Sequence, residues 1–382
     1  MTRAFIIVTA LCVVFSNSSH SQSHKTKNIV IVTLDGLRWQ EVFGGCDSKL
    51  IGKSPNLTEE QIYKALVGGS SIESREKVMP FFWKTIGTQG QVYGNRTFGN
   101  YMNCSNPYWF SYPGYSEMLV GYVDKSVRSN QAVDNRNATV LEFINSRREF
   151  ENRVGVFATW AVMSNIACKS LPKENVITGS LHSANELSKA KEYATASGGI
   201  FLTPENVGHD AVTFTRAFEF LKRERPRALL ISFDETDEHA HGGRYAEYLK
   251  AAHNIDKMIE SLWTWIQTDE NYKDQTTLII TTDHGRGHNN KQSWKNHGRL
   301  AFGSDQIWIA VIGPDTESLG EMRNKQQYWQ NQIAKTAAAF LNLDYSSSKP
   351  VGSVIQSMIT HSIEIIGDPE TTQRISSSTE PN

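Results

Sequence analysis

Five stretches of the chain are almost continuously apolar or β-branched: NIVIVTL from Asn28, Val154 to Thr159, Ala228 to Phe233, Thr277 to Thr282 and Ile307 to Ile312. Runs without polar alternation suit strands buried on both faces, as in a parallel sheet. Between them the pattern changes to helix-forming stretches at Ala211 to Arg223, Tyr245 to Gln267 and Gln327 to Leu341. Alternating strands and helices predict an α/β fold, a doubly wound and mostly parallel sheet sandwiched by helices. Gly44 to Gly99 is polar and holds few strand-like runs, which predicts a helix and loops over the sheet. Lys169 to Gly208, rich in Ser, Ala and Lys, reads as a small cap or insertion. It carries a helix over Ser183 to Ala196, where Ser183 followed by Glu186 forms a capping box. The expected organisation is one domain over 27–345 with its cap at 169–208, followed by a C-terminal extension over 346–382 whose polar tail after Gly367 is disordered.

The start of the chain does not belong to that pattern. Thr2 and Arg3 precede an apolar run from Ala4 to Phe15, and Ser16 to Ser23 is polar and small, the layout of a secretory signal peptide over residues 1–22 with cleavage between Ser18 and Ser23. As a helix the run would span roughly 18 Å, against about 30 Å of hydrocarbon, too short for a permanent anchor. Cys12 lies inside the run behind Leu11, which argues against lipid attachment. The expected location is therefore secreted or periplasmic, with no stable membrane span.

A length of 382 residues with 39% hydrophobic content supplies a packed core without staples. The formal net charge of -1 implies no general attraction to nucleic acid or anionic membrane, so anion affinity has to be local. Cys46, Cys104 and Cys168 follow the signal segment, too widely spaced for a zinc ribbon or redox motif, and the sequence cannot choose a disulfide pair among them. It does not set the oligomeric state either.

Three strands deliver acids just beyond their C-terminal ends, at Asp35, at Asp234 to Asp237 and at Asp283. In open α/β sheets the ligand crevice lies there. Asp237 and His241 are four residues apart in FDETDEHAHGGRY, so one helical turn lets a carboxylate and an imidazole converge on an ion. Asp234 and His239 compete within the same loop. Asp283 and His284 leave a strand together, followed by glycines, and both ligand types suit zinc or manganese. His297 in WKNHG is preferred to His288 in GRGH as a further ligand, because Gly298 leads toward the next strand. Ser111 stands before Pro113 and Gly114 at the start of a helical pattern, where free backbone N–H groups bind a phosphate under attack. A metal ion would lower its pKa and so activate it. Ser116, deeper in the same pattern, is the alternative nucleophile.

Asp35, Ser111 before Pro113, Asp237 with His241, Asp283-His284-Gly285 and His297-Gly298 occur in an order similar to that of the alkaline phosphatase superfamily. Within it, the nucleotide pyrophosphatase/phosphodiesterase-like branch is the one the chain resembles, from about Asn28 to Leu341. The resemblance implies an alkaline phosphatase-like fold and two divalent metal ions, zinc being preferred. It places Asp237, His241 and His297 on one ion and Asp35, Asp283 and His284 on the other, with Ser111 bridging toward the second. It further implies in-line attack by Ser111 on a small-molecule phosphate ester and a phosphoseryl intermediate.

Two positions depart from that pattern. Gly114 stands where phosphodiesterase relatives carry an Asn after the Pro, and the downstream Asn that holds a phosphoryl oxygen is assigned to Asn130, with Asn135 second. Tyr115 occupies the place of the Arg that sulfatases need, against sulfate ester chemistry. Lys125, Arg128, Lys169, Arg286 and Lys295 read first as solvated surface charges and second as contacts for a doubly charged monoester. The expected activity is thus a phosphodiesterase, pyrophosphatase or phosphomonoesterase. The rivals are a phosphonate or sulfate ester hydrolase of the same fold and a non-catalytic binding protein.

Overall fold

The computed structural model describes residues 25–52, 55–167, 169–179, 183–197, 209–288 and 290–360. The proposed signal segment, Cys168 and the tail after Gly367 lie outside the described residues. In chain order the strands are β1 (Asn28–Leu34), β2 (Gln91–Tyr93), β3 (Asn100–Asn103), β4 (Val154–Ala158), β5 (Val176–Thr178), β6 (Ala228–Phe233), β7 (Thr276–Thr281), β8 (Gln306–Ile307), β9 (Ile309–Ile312), β10 (Gly320–Glu321) and β11 (Gln326–Trp329). Eight of them form one sheet in the order β10-β2-β9-β7-β1-β6-β4-β5, and β11-β3-β8 form a small second one. In the large sheet β9 runs against β2 and β7, while the other pairings are parallel.

The continuous apolar runs resolve into two faces because side chains of a strand alternate. Val30, Val32 and Leu34 of β1 join Leu229, Ile231, Leu278 and Ile280 in one core, against helices Leu57–Leu66, His209–Glu224 and Tyr245–Ile266. Ile29 and Ile31 join Leu230, Val156 and Ile279 in the other, against helices Ser111–Val120, Val140–Asn145 and Gln332–Phe340. Helices on both faces hide every strand of the centre, which is why those strands carry no polar alternation.

Three expectations change in detail. Gly44 to Gly99 is more helical than a helix and loops: it holds helices Leu57–Leu66 and Ser71–Val78, a π-helical turn Phe82–Ile86, and then supplies β2 to the sheet. Polar caps explain the first of these, since Asn56 and Glu59 cap each other's backbone amides. Gln327 to Trp329, read as the start of a helix, belongs to strand β11 paired with β3, and the helix begins at Gln332. The described part of Lys169 to Gly208 is joined to the sheet: β5 pairs with β4, and helix Ala184–Ser197, capped by Ser183 and Glu186, lies against helix His209–Glu224. Beyond residue 345 the chain still packs, with Ile355, Met358 and Ile359 buried in the second core. Among the described residues no helix is long and apolar enough to cross a membrane.

Candidate active site

β1, β6 and β7 are adjacent and parallel, so their C-terminal ends bring Asp35, the Asp234–His241 segment and Asp283-His284 to one edge of the sheet. Asp35 follows β1 and turns at once through Gly36, whose φ of 59° lies in the left-handed region. Glycine is required there for a second reason. A Cβ would stand 2.6 Å from the Arg286 guanidinium and 2.8 Å from the Asp237 carboxylate. The Gly36 N–H donates to Asp283 Oδ1 at 3.1 Å, tying the two strand ends together.

His284 lies at the centre. Its Nδ1 is 2.8 Å from the Gly285 carbonyl, which can only accept, so the proton sits on Nδ1 and the Nε2 lone pair faces the site. Nε2 is 3.4 Å from Asp35 Oδ1, 3.4 Å from Asp283 Oδ2 and 3.3 Å from Ser111 Oγ. Asp35, Asp283 and His284 are fully buried, yet Asp35 Oδ1 and Asp283 Oδ2 have no hydrogen-bond partner. Burial, with the neighbouring carboxylates, raises both carboxyls well above their usual range, and burial lowers His284 to about 4. Unpartnered buried carboxylate oxygens facing a neutral imidazole nitrogen are costly unless a cation lies between them. The donor set therefore fits a divalent metal, and oxygen and imidazole donors without thiolate suit zinc or manganese.

Helix Glu235–His241 supplies the second arm. Asp237 Oδ2 is 3.1 Å from His241 Nε2, while Oδ1 is 3.7 Å from His297 Nε2 and 4.0 Å from His284 Nε2. The Nε2 atoms of His241 and His297 are 2.9 Å apart. Burial pushes His297 down to about 2, keeping it a neutral donor. Burial opposes ionisation of Asp237, but the Arg286 guanidinium and the His241 hydrogen bond outweigh it and hold this carboxyl well below its usual range. The competitors point elsewhere. His239 Nδ1 meets the Arg244 guanidinium at 3.0 Å and His288 packs on Phe302. Asp234 is the exception: its carboxyl stays beside the cluster, where burial and the charge of Asp237 raise it to about 8.

Ser111 opens helix Ser111–Val120, whose positive end faces the carboxylate cluster. Gly114 lets that helix lie against the end of β7, since a Cβ there would be 2.4 Å from the Asp283 carbonyl oxygen. Ser116 is turned inward and accepts from Asn135 Nδ2 at 3.2 Å, and Asn135 also donates to the Ile166 carbonyl. Asn130 is exposed and accepts the Tyr112 N–H at 2.9 Å, one residue from Ser111. Tyr115 is buried with its hydroxyl 3.0 Å from Ser232. Lys125, Arg128 and Lys169 are exposed, and Lys295 lies against Gly243. Arg286 departs from the expectation of a solvated surface charge: it is 1% exposed and its donors go to protein rather than to water or substrate. Cys46 and Cys104 are free thiols, the latter buried beneath the Asp283 carbonyl at 3.4 Å.

Sequence reading missed the supports around these ligands. The buried Glu117 accepts the N–H groups of Ser105 and Asn106 and holds the loop before Ser111. Buried Arg38, paired with Glu41 in LRWQE directly after Asp35-Gly36, donates to the Gly287 carbonyl. Their only signal was charge at positions with apolar neighbours.

A sequence model of the family described as "Type I phosphodiesterase / nucleotide pyrophosphatase" matches residues 53–346. No curated protein matches the sequence. Solved structures share the fold. Alkaline phosphatase PafA has a TM-score of 0.56 at 11% identity, covering 88% of this chain and 99% of its own. Murine ectonucleotide pyrophosphatase/phosphodiesterase 5, an inactive variant in complex with AMP, has 0.54 at 12%, covering 87% and 100%. Phosphonate monoester hydrolase from Silicibacter pomeroyi has 0.56 at 10%, covering 88% and 77%.

Proposed function

The chain belongs to the type I phosphodiesterase/nucleotide pyrophosphatase family, metal-dependent phosphoester hydrolases of the alkaline phosphatase superfamily, and from that premise we propose that it uses Ser111 as nucleophile beside two zinc ions, outside the cytoplasm. The observation that carries this is Ser111 Oγ at a helix start, 3.3 Å from His284 Nε2, next to the unpartnered oxygens of Asp35 and Asp283. Asp35, Asp283 and His284, with Ser111, would hold one ion, and Asp237, His241 and His297 the other. Bound there, the ions would polarise the phosphoryl oxygens, lower the pKa of the serine and neutralise the leaving oxygen.

Ser111 Oγ attacks phosphorus, its bond to phosphorus forms as the ester P–O bond breaks, and the departing oxygen takes up a proton. Water then attacks the phosphoserine, the P–Oγ bond breaks and the serine regains its proton. The helix N-terminus faces the charge that develops on the phosphoryl group. Asn130, anchored through Oδ1 to the Tyr112 N–H, has its amide nitrogen left to donate to a phosphoryl oxygen. Phosphodiesters and pyrophosphates are the substrate class. The family speaks for them, and so does Arg286: the cation nearest the ligands is committed to Asp237 and is not offered to a dianionic monoester. The pattern of residues 1–22 supports export, secreted or periplasmic.

The test is turnover of bis-4-nitrophenyl phosphate, with 4-nitrophenyl phosphate, phenylphosphonate ester and sulfate as comparators, by zinc-loaded wild type and Ser111→Ala. The expected result is chelator-sensitive diesterase activity that falls on the order of 10³-fold or more in the variant while both ions stay bound. Near wild-type turnover in Ser111→Ala refutes the nucleophile. Faster monoester cleavage refutes the substrate class.

A further inference from the structure

Arg286 follows Asp283-His284-Gly285 and, like Arg38, is a guanidinium buried beside the site. Its guanidinium reaches three partners on two different segments. Nε donates to the Trp294 carbonyl at 2.7 Å, Nη2 donates to the Lys295 carbonyl at 2.7 Å, and Nη1 donates to Asp237 Oδ1. Trp294 and Lys295 form the short 3₁₀ turn that delivers His297, and Trp294 is itself wedged edge-on to Tyr245, 5.1 Å between ring centroids. Asp237 and His241 come from helix Glu235–His241, which no strand pairing connects to that turn.

We propose that Arg286 is a positioning residue that clamps the His297 turn to Asp237, and so assembles the metal half-site made of Asp237, His241 and His297. This rests on the two-metal reading above. The oxygen that Arg286 holds is the one facing His284 and His297, which leaves Oδ2 directed at His241, so the guanidinium sets which way the carboxylate presents both its oxygens. The other half-site is built differently: Gly36 holds Asp283, and the Gly285 carbonyl holds His284. Loss of the clamp therefore affects one ion and spares the other. The planar fork is essential, because a lysine ammonium at the same place keeps the charge but cannot reach two carbonyls and a carboxylate in one plane. Gly36 belongs to the device, since a side chain there would collide with Nη1.

The experiment compares full-length wild type, R286M and R286K, each stripped and titrated with Zn2+ and Co2+, reading stoichiometry by elemental analysis and the cobalt d–d absorption. Thermal melts of the stripped proteins check folding. Wild type is expected to bind two ions. Both variants are expected to keep one ion at wild-type affinity and to bind the second 10- to 100-fold more weakly, with an altered cobalt spectrum. If R286M does not fold, R286K decides alone, since it preserves volume and charge. Two ions at wild-type affinity in R286K overturn the clamp while leaving the two-metal reading intact. A wild type that binds no ion at all overturns both.

Discussion

Gly114→Ala adds one methyl group inside helix Ser111–Val120, where propensity alone would favour it by about 1 kcal/mol. The tertiary contact reverses the sign. The new Cβ would lie 2.4 Å from the Asp283 carbonyl oxygen, where ordinary contact begins at 3.4 Å, so helix and strand end must separate by 3.4 − 2.4 = 1.0 Å. Neither side yields easily. The Asp283 carbonyl is held by Gln330 Nε2 at 2.6 Å, and the helix by Glu117 beneath the preceding loop. Overpacking of this kind costs roughly 1–3 kcal/mol, enough to cancel or exceed the helical gain. The larger effect is on turnover. Ser111 stands three residues before Gly114 and its hydroxyl is 3.3 Å from His284, and a misplacement near 1 Å costs about 100-fold. Initial rates on bis-4-nitrophenyl phosphate, metal content and melting temperature would be measured together. Gly44→Ala is the control, since a Cβ there meets nothing within 4 Å. A Gly114→Ala enzyme within threefold of wild type in kcat, with an unchanged melting temperature, would show that the helix does not need its close approach to β7.

Two further outcomes are expected besides those for Ser111 and Arg286. Chelation should lower the melting temperature and re-addition of zinc restore it, by about 2.7 kcal/mol when free metal stands at 100 times its dissociation constant; an identical melt of metal-free and reloaded protein would contradict the reading of Asp35 and Asp283 as ligands. Asp256, buried in helix Tyr245–Ile266, accepts the Phe81 and Phe82 N–H groups at 2.8 Å each, and burial, helped by Glu260 and opposed by those bonds and Lys257, raises its carboxyl from 3.8 to about 7. The folded protein therefore binds this proton more tightly than the unfolded chain, so its contribution is full below 3.8 and is lost as pH rises through about 7. Denaturant unfolding at pH 5 and pH 8 should show a smaller loss in Asp256→Asn than in wild type, and equal losses would remove Asp256 as the cause.

How far the sequence carried can be judged on particular residues. β1, β4, β6 and β7 were legible because a strand covered on both faces has to be apolar throughout, and the acids at their ends stood out against that background. β11 was not legible: Gln326 to Trp329 is a half-exposed edge with no pattern of its own, and pairing with β3 makes it a strand. The sequence already preferred His241 to His239 and Asn130 to Asn135; what it did not contain was the Arg244 guanidinium that engages His239 and the loop path that brings Asn130 to the Tyr112 N–H.

Arg286 shows the limit most clearly. Chemistry-bearing side chains at strand ends follow from local pattern, because a short motif determines both residue type and exit point from the sheet. The partners of this buried guanidinium lie 8, 9 and 49 residues away along the chain, so the role proposed for it as clamp rather than substrate contact is decided by chain packing. The same holds for Gly114 and Gly36, whose glycines answer to the Asp283 carbonyl and the Arg286 guanidinium. By itself the sequence determined the class of fold, and the types and chain order of the acidic and imidazole side chains that the sheet gathers at one edge. Only the tertiary structure decided which atoms face one another, because those distances depend on the contact between a helix and a strand end that local propensity does not encode.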